Sequence, residues 1–180
     1  TYTPENIHHR DIQIQQIAKV LAPALKLEKP SNLFIYGKTG TGKTLTVKHV
    51  VKKIFDVSSE SQIPVIVSYI NCKMKKIADT EYRLIAQLSR ELKREVPPTG
   101  LPTEEVYKIF YSALNNKNQM LILILDELDQ LIKKTGDGVL YNLTRINEDL
   151  NQSQITLIVI SNDLFFLDNL DPRVRSSLSE

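Results

Sequence analysis

The stretch Gly37-Lys38-Thr39-Gly40-Thr41-Gly42-Lys43-Thr44 matches the phosphate-loop pattern G-x-x-x-x-G-K-[ST] at every defined position. It follows a short apolar run at residues 32–36 and opens a helical pattern that continues to about Phe55. Glycines in such a loop let the backbone come close to a ligand, so that main-chain N–H groups and the helix N-terminus can face phosphate oxygens. The stretch therefore predicts a strand, a nucleotide-binding loop and a helix, in that order.

The same motif predicts individual contacts with the nucleotide. Lys43 supplies a cation for the β- and γ-phosphates, and the Thr44 hydroxyl is a predicted Mg²⁺ ligand. We expect ATP or ADP to be bound by Gly37, Lys38, Thr39, Gly40, Thr41, Gly42, Lys43, Thr44 and Leu45. The alternative is a glycine-rich turn that binds nothing, and the position of the motif between a strand and a helix argues against it.

An acidic pair follows a second apolar run. Residues 120–125 are continuous branched residues and methionine, and Asp126-Glu127-Leu128-Asp129 comes directly after them. A carboxylate at a strand tip beside a phosphate loop can hold Mg²⁺, which we expect of Asp126, and Glu127 can polarise a water molecule for attack on the γ-phosphate. The alternative is an acidic helix N-terminus, where carboxylates are favourable in any case. We expect Asp129 to be a helix-start or solvent-facing residue.

A polar tip also ends the apolar run at residues 155–160, which continues as Ser161-Asn162-Asp163. The Asn162 amide can contact the γ-phosphate or orient the attacking water. A plain turn or helix cap explains the same three residues, because Ser, Asn and Asp are all favoured there. The sequence alone leaves both interpretations open.

The order of elements predicts an α/β fold. Apolar runs at 32–36, 65–70, 120–125 and 155–160 are nearly continuous, which is typical of parallel strands buried on both faces. Amphipathic stretches lie between them, and Pro23 should kink or split the first helix. More residues separate the phosphate loop from Asp126 than two βαβ steps of roughly 30 residues need, so we predict an additional helix at 79–94. Residues 135–138 are expected to form a loop before a last helix that continues to about Leu150.

Composition excludes several classes of protein. With 42% hydrophobic and 24% charged residues among 180, the chain is neither disordered nor collagen-like, and its single cysteine, Cys72, excludes an internal disulfide and suggests a buried thiol. No apolar run reaches the roughly 18 residues that span a bilayer, and no basic-then-apolar leader is present. A net charge of +2 is too small to indicate nucleic-acid binding by itself. We predict no membrane partner and a cytoplasmic location.

Together the phosphate loop, the acidic pair and the Ser-Asn strand tip resemble the AAA+ ATPases. Further blocks resemble the archaeal replication-initiator family, which is related to the largest origin-recognition-complex subunit and to the cell-division-control helicase loader. These blocks are His9-Arg-Asp11, Leu21-Ala-Pro-Ala-Leu25, Lys29-Pro-Ser-Asn32, Tyr69-Ile-Asn-Cys72, Val96-Pro-Pro-Thr-Gly-Leu101 and Leu170-Asp-Pro-Arg-Val-Arg-Ser-Ser177. The resemblance covers nearly the whole chain.

The resemblance implies roles for matching residues. Residues 37–44 would be the Walker A loop, Asp126 and Glu127 Walker B, and Asn162 sensor 1. Residues from about 7 to 10, including His8, His9 and Arg10, would lie against adenine. Arg173 or Arg175 would act as an arginine finger on a neighbour's nucleotide, although relatives often carry Arg where Ser177 stands here. The alternative for both arginines is a solvated helix start or a structural ion pair.

A DNA contact is implied for the region of the additional helix, since initiators of this clade use a helical insertion after the second strand. The basic residues there are Lys73, Lys75, Lys76, Arg83, Arg90, Lys93 and Arg94. Such a cluster can neutralise phosphates and give salt-dependent binding. The alternative is a solvated helix face balanced by Glu81, Glu91 and Glu95, and charge alone favours it.

The resemblance also implies what the whole protein does. Residues 1–180 would be a partial AAA+ core that ends before a fifth strand, a helical lid and a winged-helix domain. The predicted function is an ATP-hydrolysing initiator that recognises duplex origin DNA and helps to load the replicative helicase, with that helicase or a second initiator subunit as partner. The alternatives are a clamp-loader-like or signalling ATPase without DNA recognition of its own, and a protein that keeps nucleotide only as a structural ligand.

Overall fold

The computed structural model describes residues 11–38, 40–163 and 166–173. Within them the chain forms four β-strands: β1 (Leu33–Tyr36), β2 (Val65–Asn71), β3 (Gln119–Asp126) and β4 (Ser153–Ser161). It also forms six α-helices: α1 (Asp11–Leu21), α2 (Lys43–Glu60), α3 (Glu81–Glu91), α4 (Thr103–Leu114), α5 (Leu128–Thr135) and α6 (Gly138–Arg145). Short 3₁₀ turns occupy Ala22–Lys26, Ile146–Glu148 and Leu167–Asn169.

All four strands are parallel and lie in the order β1-β4-β3-β2. The register places Tyr36 beside Ser161, and Asp126 beside both Ile160 and Asn71. Because parallel strands present their carboxyl ends at one edge of the sheet, the phosphate loop, the acidic pair and the Ser-Asn tip meet at that edge. The α/β fold predicted from the sequence is confirmed.

Two hydrophobic layers cover the sheet. One contains buried residues of α1 and α2, and the other contains buried residues of α3, α4, α5 and α6. Every residue of β3 is buried and β4 is nearly so, whereas β1 and β2 are half-buried. Burial on both faces, predicted for all four strands, therefore holds only for the central pair, because β1 and β2 form the edges.

The first helix ends as the sequence predicts, and the last one does not. Pro23 lies in the 3₁₀ turn that follows α1, so the first helical pattern is split as predicted. The helix predicted to reach Leu150 ends instead at Arg145. The Asn147 side chain accepts a hydrogen bond from the Ile155 N–H (2.9 Å) and donates one to the Ile155 carbonyl (2.8 Å). After Arg145 the chain forms the 3₁₀ segment Ile146–Glu148, in which Asn147 supplies hydrogen-bond partners for the Ile155 backbone of β4.

The additional helix predicted before the Pro-Pro turn is α3. Thr80 caps it, since its hydroxyl accepts from the Arg83 N–H at 3.1 Å. The Glu81 carboxylate accepts hydrogen bonds from Tyr107 (2.6 Å) and Asn142 (3.0 Å), which joins α3 to α4 and α6. No helix among the described residues is both long and apolar enough to cross a bilayer.

We expect the substitution Leu123→Ala to lower the free energy of unfolding by about 2–5 kcal/mol, because Leu123 is fully buried in the central strand β3. Urea unfolding followed by circular dichroism measures this change. An exposed apolar residue gives the control: Ile12→Ala, with Ile12 69% exposed, should change stability by less than about 0.5 kcal/mol. Equal effects of the two substitutions would contradict the placement of the core.

Candidate nucleotide-binding site

The loop between β1 and α2 has the backbone that a phosphate cradle needs. Gly40 and Gly42 have φ values of 84° and 79°, in the left-handed region that favours glycine. Gly42 is the residue that caps α2, so the N-terminus of this helix opens directly onto the loop. The Gly37 N–H donates to the Ser161 carbonyl at 3.3 Å and thereby joins the loop to the tip of β4.

Lys43 places a buried cation inside this loop. Its side chain is buried, and Nζ donates to the carbonyls of Gly37 (3.0 Å) and Lys38 (2.8 Å). Among the described residues no carboxylate lies within ion-pair distance of this ammonium. A buried ammonium with only neutral partners is costly unless an anion compensates it. The phosphates of a nucleotide supply that negative charge, which fits the prediction from the motif.

Thr44 and Asp126 meet across the sheet edge. The Thr44 hydroxyl donates to Oδ2 of Asp126 at 2.7 Å, and Asp126 is only 5% exposed. Because the hydroxyl proton is committed to the carboxylate, the lone pairs of the Thr44 oxygen remain available as a ligand. Mg²⁺ prefers oxygen ligands and is usually held by one or two carboxylates together with substrate phosphates and water. Thr44 and Asp126 therefore fit a Mg²⁺ ion whose remaining ligands would be water and the phosphates of a bound nucleotide.

Glu127 and Asn162 follow the tips of the two central strands. Glu127 has a φ of 54° and caps α5, and its half-buried carboxylate makes no hydrogen bond within the described part of the chain. Asn162 is half-buried beyond β4. The turn there is made by its neighbours, since Ser161 Oγ accepts from the Asp163 N–H at 3.0 Å. Ser161 and Asp163 form the turn, so the Asn162 side chain is not needed for it, and the turn is compatible with a contact between Asn162 and the γ-phosphate.

Asp129 and Cys72 lie near the acidic pair, and the structure shows how far each is buried. Asp129 begins α5 as expected, but it is 2% exposed and does not face solvent, because the first turn of α5 packs against the sheet. Its Oδ2 accepts from the Gln130 side chain at 3.1 Å. Cys72 is buried as predicted, and burial, followed by the charge of Asp126, raises the pKa of its thiol to about 12. It is therefore a poor nucleophile at neutral pH.

Two residues beside the acidic pair, Tyr69 and Lys48, have no site role that the sequence predicts. The Tyr69 hydroxyl donates to Oδ2 of Asp126 at 2.6 Å, and the Lys48 ammonium lies 3.9 Å from the centroid of the Tyr69 ring. The sequence pattern indicates no more for Lys48 than an exposed position on α2. Strand alternation puts Tyr69 on the face of Asn71, but only the β2–β3 register shows that this face carries Asp126.

The predicted DNA-contacting residues fall into two groups at opposite ends of α3. Lys73, Lys75 and Lys76 are exposed in the loop before it, whereas Arg90, Lys93 and Arg94 lie at its end, roughly 16 Å away at 1.5 Å per residue. Arg83 lies between them and donates to Asp79 at 2.7 Å, a contact that holds the pKa of Asp79 below its usual value. Arg90 donates to the Val96 carbonyl at 3.0 Å.

Several predicted site residues lie outside the described residues: His8, His9, Arg10, Thr39 and Arg175. Arg173 is described and exposed, and its guanidinium Nε lies 3.3 Å from Oδ1 of Asp171. This ion pair is one of the alternatives named for Arg173, and the arginine-finger role stays a prediction.

The class of protein follows from this site together with the similarity of the chain to known proteins. The AAA domain family matches residues 26–165, and the chain belongs to that family. More particularly, it is similar along its whole length to archaeal proteins named ORC1-type DNA replication protein. It is 50% identical to the one from Pyrococcus abyssi and 51% identical to the one named ORC1-type DNA replication protein 1 from Methanosarcina mazei. The chain spans 43% and 42% of the lengths of these relatives.

Solved structures agree with this assignment. The Aeropyrum pernix ORC1 protein, solved in complex with DNA, superposes with a TM-score of 0.90 at 39% identity, over 99% of this chain and 45% of that one. Cdc6p from Pyrobaculum aerophilum shares the fold, with a TM-score of 0.81 at 23% identity, over 100% of this chain and 46% of that one. The resemblance to the archaeal replication-initiator family is confirmed.

Proposed function

We propose that the chain is the nucleotide-binding part of a DNA replication initiator that binds and hydrolyses ATP, recognises duplex origin DNA and helps to load the replicative helicase. The observation that carries the proposal is the contact of Thr44 with Asp126 at the mouth of the glycine loop. It occurs in a chain similar throughout to ORC1-type DNA replication proteins.

The proposed ATPase site divides the work among its own residues. The loop amides and Lys43 bind the phosphates and offset their charge, while Thr44 and Asp126 hold Mg²⁺. The ion, when bound, neutralises charge on the β- and γ-phosphate oxygens. Glu127 accepts a proton from the attacking water, and Asn162 orients that water or the γ-phosphate. The left-handed backbone at Glu127 turns the chain immediately after the metal-binding carboxylate, so both acids serve one edge of the sheet.

DNA binding is supported by the Aeropyrum pernix ORC1 protein, whose structure contains DNA and which is 39% identical to this chain. We propose that the exposed cations at both ends of α3 contact phosphates. Arg173 or Arg175 would act as an arginine finger on the nucleotide of a second initiator subunit, and that subunit or the replicative helicase would be the protein partner. A lid and a winged-helix domain would complete the whole protein, and its action at origins would place it on the nucleoid.

A second candidate is an AAA ATPase without DNA recognition of its own. The observation that favours it is the use of Arg83 and Arg90 in contacts within the chain, to Asp79 and to the Val96 carbonyl. Side chains occupied in this way offer fewer free donors to phosphates.

We expect the double substitution Arg90→Glu and Arg94→Glu to weaken binding to duplex origin DNA. It should also reduce the slope of log affinity against log salt by about two, one for each phosphate that is no longer neutralised. Fluorescence anisotropy of the full-length protein with origin and scrambled duplexes, titrated with salt, measures both quantities. The double substitution Lys52→Glu and Lys53→Glu on α2 is the control. An unchanged slope would favour the second candidate, and equal affinity for the two duplexes would remove origin recognition.

A further inference from the structure

Tyr69 shares a face of the sheet with the carboxylate that we assign to Mg²⁺. Asn71 of β2 pairs with Asp126 of β3, and residues two apart on a strand point to the same side. Tyr69 also packs against the hydrophobic layer formed with α1 and α2. Thr44 lies on α2. The ring therefore stands between β2 and the start of α2, next to the metal-binding edge.

Two hydroxyl groups converge on one oxygen of Asp126. Thr44 donates to Oδ2 at 2.7 Å and Tyr69 donates to the same Oδ2 at 2.6 Å. A hydroxyl has a single proton to donate, so each group is committed to this atom. Neither contact involves Oδ1. Because two donors from different elements, α2 and β2, hold Oδ2, the carboxylate cannot rotate without losing at least one of them.

We propose that Tyr69 is a positioning residue for the Mg²⁺ site: its hydroxyl fixes the rotation of the Asp126 carboxylate and so leaves Oδ1 for the ion or for a water molecule bound to it. The inference rests on the proposed function, since it takes Asp126 as the residue that serves Mg²⁺. Hydrogen-bond partners of metal-binding groups generally orient them, and loss of such a partner typically costs about 10- to 100-fold in metal affinity or activity.

A contact with α2 also holds the ring of this tyrosine in place. The Lys48 ammonium stacks on the ring at 3.9 Å from its centroid. Lys48 lies one helical turn beyond Thr44, so this cation–π contact joins the ring to the same helix.

The test is Tyr69→Phe, which removes the hydroxyl and keeps the ring and its contact with Lys48. The measurement is the affinity of the wild type and of the variant for a fluorescent ATP analogue, first as MgCl₂ is titrated and then in EDTA. The Mg²⁺ concentration for half-maximal gain in affinity should rise about tenfold, while affinity in EDTA stays unchanged. Lys48→Met, which removes only the stacked cation, should raise the same concentration about two- to fivefold.

Tyr107→Phe is the matched control. The Tyr107 hydroxyl also donates to a carboxylate at 2.6 Å, that of Glu81, but on the opposite face of the sheet. The substitution Tyr107→Phe should leave the Mg²⁺ requirement for nucleotide binding unchanged, even if it lowers the melting temperature. A shift in Mg²⁺ requirement that simply follows the loss of stability in both variants would overturn the positioning role and leave a structural one.

Two further outcomes separate this inference from the proposed function. If Asp126→Asn raises the Mg²⁺ requirement and Tyr69→Phe leaves it unchanged or lowers it, the inference is wrong and the ATPase site stands. If neither the wild-type protein nor Asp126→Asn shows any dependence of nucleotide affinity on Mg²⁺, both the inference and the proposed site are wrong.

Discussion

Glu127→Gln is expected to reduce the rate of ATP hydrolysis by about 10²- to 10⁴-fold, because an amide cannot accept the proton of the attacking water. Binding of ATP should be unchanged, since phosphate contacts come from the loop and Lys43. The exchange is nearly isosteric at a half-buried position that caps α5, so we expect the fold to be retained. Phosphate release measures turnover, and equilibrium binding of a fluorescent ATP analogue measures affinity.

Glu105→Gln is the control for this prediction. Glu105 is exposed on α4, where it pairs with Lys108 at 3.2 Å, and it lies far from the acidic pair in the chain. The substitution should change neither turnover nor affinity. If Glu127→Gln hydrolysed ATP at the wild-type rate, another group would have to be the base. If it failed to bind ATP as well, Glu127 would be needed for the site to form.

Lys43→Met should weaken ATP binding by about 10- to 10²-fold. A hydrogen bond from a charged donor contributes about 1.5–3 kcal/mol, and every 1.4 kcal/mol is a factor of ten in affinity. Methionine has nearly the length of lysine, and it fills a site that is only 7% exposed. It cannot donate to the carbonyls of Gly37 and Lys38, so a small loss of stability should accompany the loss of binding.

Isothermal titration calorimetry with ATP and Mg²⁺ measures the effect of Lys43→Met, with Lys52→Met as the matched control. Lys52 is on the same helix but its side chain is 77% exposed and pairs with Asp56 at 3.0 Å. ATP should bind the control as it binds the wild type. Wild-type affinity in Lys43→Met would mean that the buried ammonium is structural and that the phosphates bind elsewhere.

The sequence predicted the parts of the fold that local patterns determine. The central strands β3 and β4 are continuous apolar runs, and both lie where they were expected, because burial on two faces leaves no other composition. Pro23 split the first helix for a purely local reason. The shortened end of α6 was not predictable, since it depends on Asn147 contacting Ile155 of another element.

The candidate site divides in the same way. Lys43, Thr44 and Asp126 belong to contiguous motifs, and the structure brings the last two together as the motifs predict. Tyr69 is not part of either motif, and its contact with Asp126 exists only because β2 pairs with β3 in one register. The burial of Asp129 likewise depends on how α5 packs, whereas the sequence indicates only a helix-start or solvent-facing position. Contacts between elements, not residue types, were the missing information.

The central claim is that the loop from Gly37 to Thr44 binds a nucleotide's phosphates opposite Asp126 and Glu127. A crystal structure with a non-hydrolysable ATP analogue and Mg²⁺ tests it most directly. We predict that main-chain N–H groups of the loop and the Lys43 ammonium contact the phosphates, with Mg²⁺ held by Thr44 and by Asp126 directly or through water. A nucleotide bound at another surface, with Lys43 still donating to the carbonyls of Gly37 and Lys38 and to no phosphate, would contradict the account.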